Sequence, residues 1–342
     1  MVQPDEHEDR LTDGLAHAEV PEDEVPAFGG RTPTPDTPEL QELLEDVAEE
    51  CRPLADEGEV ADYLPALRHV PRDRFAIAVS RLDGDEPSVG DADVTMSIQS
   101  ISKLFTLTLA MQKIDDMSLL WDRVGREPSG TSFNSLVQLE HEGGIPRNPF
   151  INAGAIVVAD HLRDVCDDPR GELLELVSDL VGDEIDVDGD MWASERETGD
   201  RNRAIANLMA SFGNLHNPVE KVLDDYFRQC SLRMTPRQLA RAVRFVANDG
   251  VDPRTGRRVL DRLQSRRISA LMLTCGTYDA AGEFAFQVGI PCKSGVGGAI
   301  VGVVPDRLAV CTWSPPLDRY GNSLAGTASL TRLATHAGFS VF

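Results

Sequence analysis

The sequence has little positive charge and almost no lysine. Its 342 residues include 33 Lys and Arg against 57 Asp and Glu, which gives a formal net charge of −24. Such a surface repels the phosphates of nucleic acids and of anionic bilayers, so we expect neither as a partner. Acid-rich, lysine-poor surfaces are typical of proteins that stay hydrated in concentrated salt, where screening shortens the reach of a charge to ~3 Å at 1 M. The composition therefore predicts a halophilic source.

Long apolar runs and paired cysteines are also missing. No segment approaches the ~20 apolar residues that a transmembrane helix needs. The N-terminus, MVQPDEHEDR, is acidic where a secretory signal carries positive charge. These features predict a cytoplasmic protein with no membrane partner. The six cysteines lie far apart without a C-x-x-C pair, so we expect buried free thiols.

The N-terminal segment is rich in acids and proline and has no apolar periodicity. It cannot bury enough surface to offset the entropy lost on ordering, so residues 1–37 are predicted to form a disordered acidic arm. Regular structure is predicted to begin at Thr37-Pro38, as a helix cap followed by a proline in the first turn. The apolar stripe of this helix comprises Leu40, Leu43, Leu44 and Val47.

Strand patterns occupy both ends of the remaining chain, and helical patterns occupy its middle. Alternating apolar residues from Phe75 to Val79 run into the turn Asp83-Gly84 and predict a hairpin whose second strand lies near Ser88 to Ser97. Helical periodicity prevails over 98–246. The C-terminal part predicts strands at 283–288, 299–304 and 308–313, followed by a helix at 324–336.

This order of elements predicts a mixed α/β (α+β) fold of two lobes. Residues 38–97 and 247–342 would form an antiparallel sheet flanked by helices. Residues 98–246 would form an inserted all-helical lobe. We expect the active site in a cleft at the junction of the two lobes.

The motif S-x-x-K occurs at Ser100 and Lys103, at the predicted start of a helix. Side chains three residues apart share one helix face, so the amine can take a proton from the hydroxyl. Free backbone N–H groups and the dipole at a helix N-terminus favour negative charge there. The pattern is short and also occurs in capped helices that carry an exposed lysine, so it indicates catalysis only together with a second motif.

The second motif is Lys293-Ser294-Gly295, just before an apolar strand. A lysine there, facing the serine–lysine pair, would add positive charge and lower the pKa of Lys103, as a proton acceptor requires. Gly295 would let the backbone approach a ligand, and the Val296 N–H is a candidate oxyanion donor. Lysine at both motifs is informative in an arginine-rich chain, because only an ammonium can be tuned to a neutral base. An ordinary glycine-rich strand entry is the structural alternative.

Together with five further segments, these motifs resemble the serine-dependent glutaminases, a branch of the β-lactamase-like superfamily. The resemblance runs from about residue 38 to the C-terminus. It rests on seven segments in order: Val60–Pro65 (VADYLP), Gln99–Lys103 (QSISK), Asn148–Ile156 (NPFINAGAI), Ser194–Asn202 (SERETGDRN), Cys275–Asp279 (CGTYD), Lys293–Val296 (KSGV) and Trp313–Asp318 (WSPPLD). It implies a β-lactamase-like fold and the hydrolysis of L-glutamine to L-glutamate and ammonia.

The resemblance also implies roles for matched residues. The catalytic set would comprise Ser100 as nucleophile, Lys103 as its base, Tyr63 and Tyr278 as proton-relay hydroxyls, and Lys293 beside them. The backbone N–H groups of Ser100 and Val296 would form the oxyanion hole. The substrate would be held by Gln99, Asn152, Glu195, Asn202, Tyr226 and Val296. A metal or organic cofactor is not needed for this chemistry, and the family suggests a homodimer or homotetramer.

The chemistry of an amino-acid substrate agrees with these residue types. Its ammonium needs a buried acid such as Glu195, and its carboxylate needs neutral donors such as those of Asn152, Asn202 and Tyr226. Tyrosine is rare, with four in the chain, and three of them lie at matched positions, which favours function over packing. Polar groups that pair only with a full α-amino acid would reject analogues lacking it by ~10⁴ or more.

Two alternatives stay open at this point. A β-lactamase or peptidase of the same superfamily would need an S-D-N element, and the nearest segment, Ser132-Phe133-Asn134, lacks the Asp. A non-catalytic module that binds an amino acid is the alternative from another class. The histidines form no H-E-x-x-H motif and accompany no G-x-S-x-G elbow, so neither zinc hydrolysis nor a Ser-His-Asp triad is expected. The acidic run Asp186–Asp190 fails the EF-hand spacing and is predicted to be a surface turn.

Overall fold

The computed structural model of the protein describes residues 34–114, 116–130 and 135–342. The predicted acidic arm over residues 1–33 and the Ser132-Phe133-Asn134 segment lie outside the described residues. The strands are β1 (Ala76–Arg81), β2 (Ser88–Gly90), β3 (Met96–Ser97), β4 (Asp186–Val187), β5 (Leu232–Met234), β6 (Cys292–Gly295), β7 (Ala299–Val304) and β8 (Leu308–Trp313). The α-helices are α1 (Thr37–Cys51), α2 (Ser102–Lys113), α3 (Ser118–Trp121), α4 (Leu136–His141), α5 (Asn152–Val165), α6 (Pro169–Val181), α7 (Gly189–Thr198), α8 (Asp200–Ser211), α9 (Val219–Cys230), α10 (Pro236–Ala247), α11 (Arg262–Cys275), α12 (Ala281–Gln287) and α13 (Leu324–His336).

Five strands from the two ends of the chain form one antiparallel sheet, in the order β2-β1-β8-β7-β6. Strand β1 pairs with β8 along its whole length, from Ala76 opposite Trp313 to Arg81 opposite Leu308. The predicted antiparallel sheet is therefore confirmed, and β7, β8 and α13 have the predicted bounds. Strand β6, which carries the second lysine motif, pairs only with β7 in this order and so lies at the sheet edge.

The alternation along β1 shows how the sheet is covered. Ile77 and Val79 pack in a cluster with apolar residues of α1 and α13, whereas Ala76 and Ala78 belong to the core on the other face, which α10 covers. Successive strand residues point to opposite faces, so one face carries branched side chains and the other small ones. The small side chains let α10 pack closely on the sheet.

The central lobe is not all-helical as predicted. It contains a small antiparallel sheet in the order β3-β5-β4, of which β4 and β5 lie within residues 98–246. Strands of two or three residues are too short to show an alternating pattern, which is why the sequence did not reveal them. The boundaries at 97/98 and 246/247 stay a prediction, and α10, on the helical side of the second boundary, packs on the main sheet.

One predicted strand is shorter than expected and another is a helix, each for a local reason. The second strand of the hairpin was expected near 88–97, but β2 ends at Gly90, which has φ of 74° and whose position leaves no room for a Cβ next to the Phe75 carbonyl. The segment 283–288 forms α12 instead of a strand. Phe284 and Val288 are buried while Phe286 is 86% exposed, so the apolar residues that matter are four apart, as on a helix face.

Two helix starts differ from the predictions. Helix α1 is capped by Asp36, not by Thr37: the Asp36 carboxylate accepts the Glu39 N–H, and the Glu39 carboxylate accepts the Asp36 N–H. This reciprocal pair satisfies two free N–H groups at once. The acidic run predicted to be a surface turn instead forms β4 and the cap of α7, where Asp188 accepts the Met191 N–H.

The cysteine prediction is confirmed, since all six cysteines are free and buried. Across the described ranges, no helix combines the length and the apolar character needed to cross a bilayer.

Candidate active site

Ser100 lies in a 3-10 turn, Gln99–Ile101, that leads directly into α2. The turn is strained, because Gln99 adopts a left-handed φ of 49°. The end of β6 packs against it so closely that a Cβ at Gly295 would lie 2.7 Å from the Ile98 carbonyl oxygen. The role expected for Gly295 therefore changes: it allows a backbone contact within the protein. This contact brings the two lysine motifs together, as the sequence predicted.

Lys103 is buried in α2 with its amine turned toward the start of α5. Its Nζ donates to Asn152 Oδ1 at 2.7 Å and to the Phe150 carbonyl at 3.3 Å, and it lies 5.8 Å from the centre of the Tyr226 ring. Burial lowers the pKa of Lys103 to about 8, although Glu195 opposes this shift. Among the described residues Lys103 makes no hydrogen bond to Ser100, so the direct contact expected from S-x-x-K is not formed here.

The hydroxyl group that contacts Ser100 is that of Tyr278. The Tyr278 hydroxyl forms a hydrogen bond with the Ser100 side chain and lies 3.4 Å from the Ser294 carbonyl. Burial raises the pKa of Tyr278 to about 12. Like Gln99, Tyr278 has a left-handed backbone, with φ of 55°. The two residues that flank the serine hydroxyl are thus both held in costly conformations, which cluster at functional sites.

Lys293 lies over the aromatic ring of Tyr278. Its Nζ donates to the carbonyl oxygens of Ser294 at 2.6 Å and Gly276 at 3.1 Å, and lies 4.9 Å from the centre of the Tyr278 ring. Burial, followed by the charge of Lys103, lowers the pKa of Lys293 well below its ordinary value. The expected effect of Lys293 on Lys103 is not seen, because burial lowers the pKa of Lys103 and Lys293 is not among the causes.

The residues predicted to bind the amino-acid part of the substrate come from four helices. Asn152 begins α5, Glu195 lies in α7, Asn202 in α8 and Tyr226 in α9. Asn152 Nδ2 donates to Asn202 Oδ1 at 3.0 Å, which links two of them directly. The structure therefore gathers side chains that lie up to 74 residues apart in the sequence, around the amine of Lys103.

Glu195 is a buried acid whose carboxylate accepts no hydrogen bond from a described residue. Its side chain has 7% exposure, and in the described part of the chain it forms no hydrogen bond or ion pair. Burial raises the pKa of Glu195 to about 7, while Lys103 acts in the opposite direction. A buried carboxylate is costly unless a cation pairs with it. The setting of Glu195 therefore suits a cationic group such as a substrate ammonium.

Gln99, Tyr63 and Val296 complete the predicted set. The Gln99 amide is buried and donates to Ser97 Oγ at 3.1 Å. Tyr63 is 56% exposed and lies within electrostatic range of Tyr278 and Glu195, which places it at the rim of the site. Its neighbours Ala61 and Leu64 share a small apolar cluster with Tyr278 and Val296.

The two backbone N–H groups predicted to form the oxyanion hole are both unpaired in the described part of the chain. The backbone N–H groups of Ser100 and Val296 donate no hydrogen bond to any residue that the structure describes. Both residues are nearly buried, at 8% exposure each. Buried N–H groups are rarely left unpaired, so the unpaired N–H groups of Ser100 and Val296 are candidate donors to a ligand oxygen.

The sequence analysis missed one buried side chain of the site. Cys230, which was grouped with the other free thiols, lies close to the side chains of Tyr226 and Ser102 and interacts electrostatically with Glu195 and Lys103. Burial raises its pKa to about 12, so the thiol is neutral. The only signal in the sequence is its spacing of four from Tyr226, which puts both on one face of α9.

One group of possible metal ligands exists within the described ranges. Single ligand atoms of Asp160, Asp164 and His216 lie within 4.8 Å of one another. The Asp160 carboxylate is already used, because it pairs with Arg123 and accepts the backbone N–H groups of His216 and Asn217. This group therefore fits an ion-paired helix connection better than a metal centre.

The chain is similar to known proteins of one family. A family model described as Glutaminase matches residues 58–342. The chain belongs to the glutaminase family. Glutaminases from Paraburkholderia phytofirmans and Vibrio parahaemolyticus are 52% and 53% identical to it, over 88% of this chain and 98% of each relative. A solved structure of a probable glutaminase from Bacillus subtilis has a TM-score of 0.82 at 31% identity, and the match covers 90% of this chain and 99% of that one.

The glutaminase activity and the β-lactamase-like fold predicted from the sequence are thereby confirmed. The family model begins just before the Tyr63 segment and continues to Phe342, so it includes all seven segments of the resemblance. The curated relatives are covered almost completely, at 98% of the length of each.

Proposed function

We propose that this glutaminase hydrolyses L-glutamine through an acyl-enzyme on Ser100, with Lys103 as the base. The observation that carries the proposal is the pair of oxygen atoms around the Lys103 amine. Asn152 Oδ1 and the Phe150 carbonyl would accept both N–H groups of a neutral amine, which leaves its lone pair free for the Ser100 proton. Because the pKa of Lys103 is about 8, much of the amine is neutral near that pH.

Acylation begins when Lys103 takes the proton of Ser100 and the Ser100 oxygen attacks the side-chain amide carbon of glutamine. The N–H groups of Ser100 and Val296 stabilise the oxyanion that forms. Tyr278, which is hydrogen-bonded to Ser100, donates its hydroxyl proton to the leaving nitrogen and regains a proton from the Lys103 ammonium, so ammonia departs and Lys103 is neutral again. Water then attacks the ester with Lys103 again as base, and L-glutamate is released.

The charges of the site residues determine how each end of the substrate would be bound. Glu195 pairs with the α-ammonium, which removes the cost of its burial and lowers its pKa on binding. Asn202 and Tyr226 supply neutral donors for the α-carboxylate, with Asn152 linking Asn202 to the base. Gln99 lies next to the nucleophile, and Tyr63 at the rim supplies a second hydroxyl near Tyr278 and Glu195.

A coupled assay of ammonia release from L-glutamine tests the mechanism. Ser100→Ala should remove turnover while glutamine binding, measured by calorimetry, persists. Ser269→Ala, a serine in α11 that bonds only to its own helix, is the matched control and should keep full activity. Substantial turnover by Ser100→Ala would refute the acyl-enzyme on Ser100.

The same assay separates the two alternatives. Hydrolysis of a chromogenic β-lactam by the wild type would favour the penicillin-recognising enzyme. Glutamine binding without ammonia release would favour the non-catalytic module. The family match already argues against both, because the relatives that cover the chain are glutaminases.

We further propose that the glutaminase is a cytoplasmic homodimer or homotetramer from a halophile. The net charge of −24 supports the last point, since dense carboxylates repel one another unless salt screens them. Sedimentation in 2 M salt should give a dimer or tetramer, and dialysis into dilute buffer should unfold the protein. A monomer, or full stability in dilute buffer, would contradict the respective prediction.

A further inference from the structure

Asn148 lies in the loop that leads into α5, four residues before Asn152. Its side chain is 1% exposed, and it lies outside the proposed catalytic and substrate-binding sets. We propose that Asn148 is a positioning residue for the base, because it fixes the two oxygen atoms that hold the amine of Lys103. The part of this inference that concerns turnover rests on the proposed role of Lys103.

The side-chain oxygen of Asn148 accepts two backbone N–H groups. Its Oδ1 accepts the Phe150 N–H at 3.0 Å and the Ile151 N–H at 3.1 Å. Neither N–H donates to a backbone oxygen of the described residues. An asparagine oxygen that accepts the N–H two residues further on forms an Asx turn, which fixes the direction of the enclosed peptide units. The turn therefore sets where the Phe150 carbonyl points.

The residues that follow this turn supply both acceptors of the Lys103 amine. The Phe150 carbonyl accepts from Lys103 Nζ at 3.3 Å, and Asn152 Oδ1 accepts at 2.7 Å. The ring of Phe150 faces the other buried lysine of the site, with Lys293 Nζ 5.8 Å from the ring centre. One short turn thus places groups against both lysines.

Asn148 is itself held from two sides. Its Nδ2 donates to the Glu127 carbonyl at 2.9 Å, and the Glu127 N–H donates to the Arg147 carbonyl at 2.8 Å. The Asn148 carbonyl oxygen packs against Gly154, where a Cβ would lie 1.9 Å from it. The turn is therefore fixed on the side away from the lysine. Such precision matters for a base, since a misplacement of about 1 Å can cost ~10²-fold in rate.

Two substitutions of Asn148 test this role in the ammonia-release assay. Asn148→Ala leaves the N–H groups of Phe150 and Ile151 without their side-chain acceptor. Asn148→Ser keeps a hydroxyl that forms the same turn more weakly and loses the carboxamide that donates to Glu127. We expect Asn148→Ala to lower kcat about 10- to 100-fold with a smaller change in KM. Asn148→Ser should lower kcat by less.

The titration of the Lys103 amine gives a second readout that does not depend on turnover. It can be followed by NMR in protein labelled with carbon-13 at lysine Cε, and Lys103→Met identifies the signal. The spectrum is simple because the chain has four lysines: Lys103, Lys113, Lys221 and Lys293. The pKa of Lys103 is about 8 in the wild type. In Asn148→Ala its ammonium loses two fixed acceptors, so the titration should move to lower pH by about one unit or more, and in Asn148→Ser by less.

The other titratable groups that face this amine are unchanged in both variants. They are Glu195 in α7, Tyr226 and Cys230 in α9, and Lys293 in β6. A shift in the titration of Lys103 therefore reports on its acceptors.

Asn214→Ala is the matched control. Asn214 is also buried, and its amide donates to the carbonyls of Arg123 at 2.9 Å and Gly144 at 2.8 Å. Its loss should lower the free energy of unfolding but leave kcat and the titration of Lys103 unchanged.

Two results would overturn the proposal. One is a folded Asn148→Ala, verified by circular dichroism, with the kcat and the Lys103 titration of the wild type. The other is a folded Asn148→Ser that matches the wild type in both readouts, which decides the question even if Asn148→Ala does not fold. If Ser100→Ala kept its turnover, the acyl-enzyme mechanism would fall while the NMR titration still tested the position of the amine, so the two proposals fail separately.

Discussion

Replacing Lys103 by Met should abolish turnover and also change how stability depends on pH. The side chain of Lys103 has 1% exposure, and its amine is hydrogen-bonded by neutral acceptors, Asn152 and the Phe150 carbonyl. Folding therefore places a charged ammonium in a poorly solvated site at any pH below the folded-state pKa. Methionine has a similar length and removes the charge without leaving a large cavity.

The size of the effect follows from the pKa of Lys103. Its value falls from 10.5, which applies to the unfolded chain, to about 8 in the folded protein. The unfolded state thus binds the proton more tightly, and the wild type loses stability below this window and regains it as the pH rises from about 8 toward 10.5. The full shift corresponds to roughly 3 kcal/mol, and about 2–3 kcal/mol of it should be recovered between pH 7 and pH 10.

Urea unfolding of the wild type and Lys103→Met at pH 7 and pH 10 measures this difference. The free energy of unfolding of the wild type relative to the variant should rise by about 2–3 kcal/mol between the two values of pH. Lys113→Met is the control, because Lys113 is paired with Glu172 at the surface and its pKa is raised. Its difference from the wild type should not rise over this range. A constant or falling difference for Lys103→Met would refute the assignment of Lys103 as a buried amine with a lowered pKa.

Three further outcomes follow from the site and its supports. The value of kcat/KM should rise with pH through about 7 to 8, because Glu195 must lose its proton at about 7 and the lysine base at about 8; a flat profile over pH 6–9 would contradict this. Tyr278→Phe should lower kcat by ~10²–10⁴ with a smaller change in KM, as expected for a lost proton donor in steady-state kinetics; unchanged kcat would exclude the relay. Gly154→Ala should lower the free energy of unfolding, measured in urea, by more than ~3 kcal/mol, because its Cβ would lie 1.9 Å from the Asn148 carbonyl oxygen. Gly189→Ala is the control and should be nearly neutral, since no atom lies within 4 Å of its Cβ. Similar stabilities for the two variants would contradict the packing.

Sequence patterns predicted the sheet best where long strands alternate or are wholly apolar. β7, β8 and α13 were predicted with their observed bounds because each is six residues or longer and has one consistent periodicity. The pattern failed at α12, where Phe284 and Phe286 alternate like a strand although only Phe284 is buried. It also failed for β3, β4 and β5, whose pairing depends on contacts across the fold and not on their own two or three residues.

Some features of the site could be predicted from local motifs, whereas others depend on contacts made only in the folded protein. The S-x-x-K and K-S-G motifs are local, and their meeting could be expected from the chain order. The partner of the Lys103 amine could not, because Asn152 lies 49 residues away and reaches it through the packing of α5 on α2. Nor could the contact between Ser100 and Tyr278, since it requires Tyr278 to hold a left-handed backbone that a tyrosine does not favour.

Burial explains why the site uses lysine in a chain that otherwise uses arginine. Arginine keeps its charge even when buried, so it could not serve as a base at the position of Lys103. The same burial makes the Lys103 ammonium costly and raises the pKa of Glu195. The left-handed backbones at Gln99 and Tyr278 cost a further ~1–3 kcal/mol each. A bound amino acid would relieve one of these terms, because its ammonium pairs with Glu195. Substrate binding should therefore stabilise the folded protein by more than the direct contacts with the ligand contribute. In the free protein, the apolar core around α2 holds the site in its strained form.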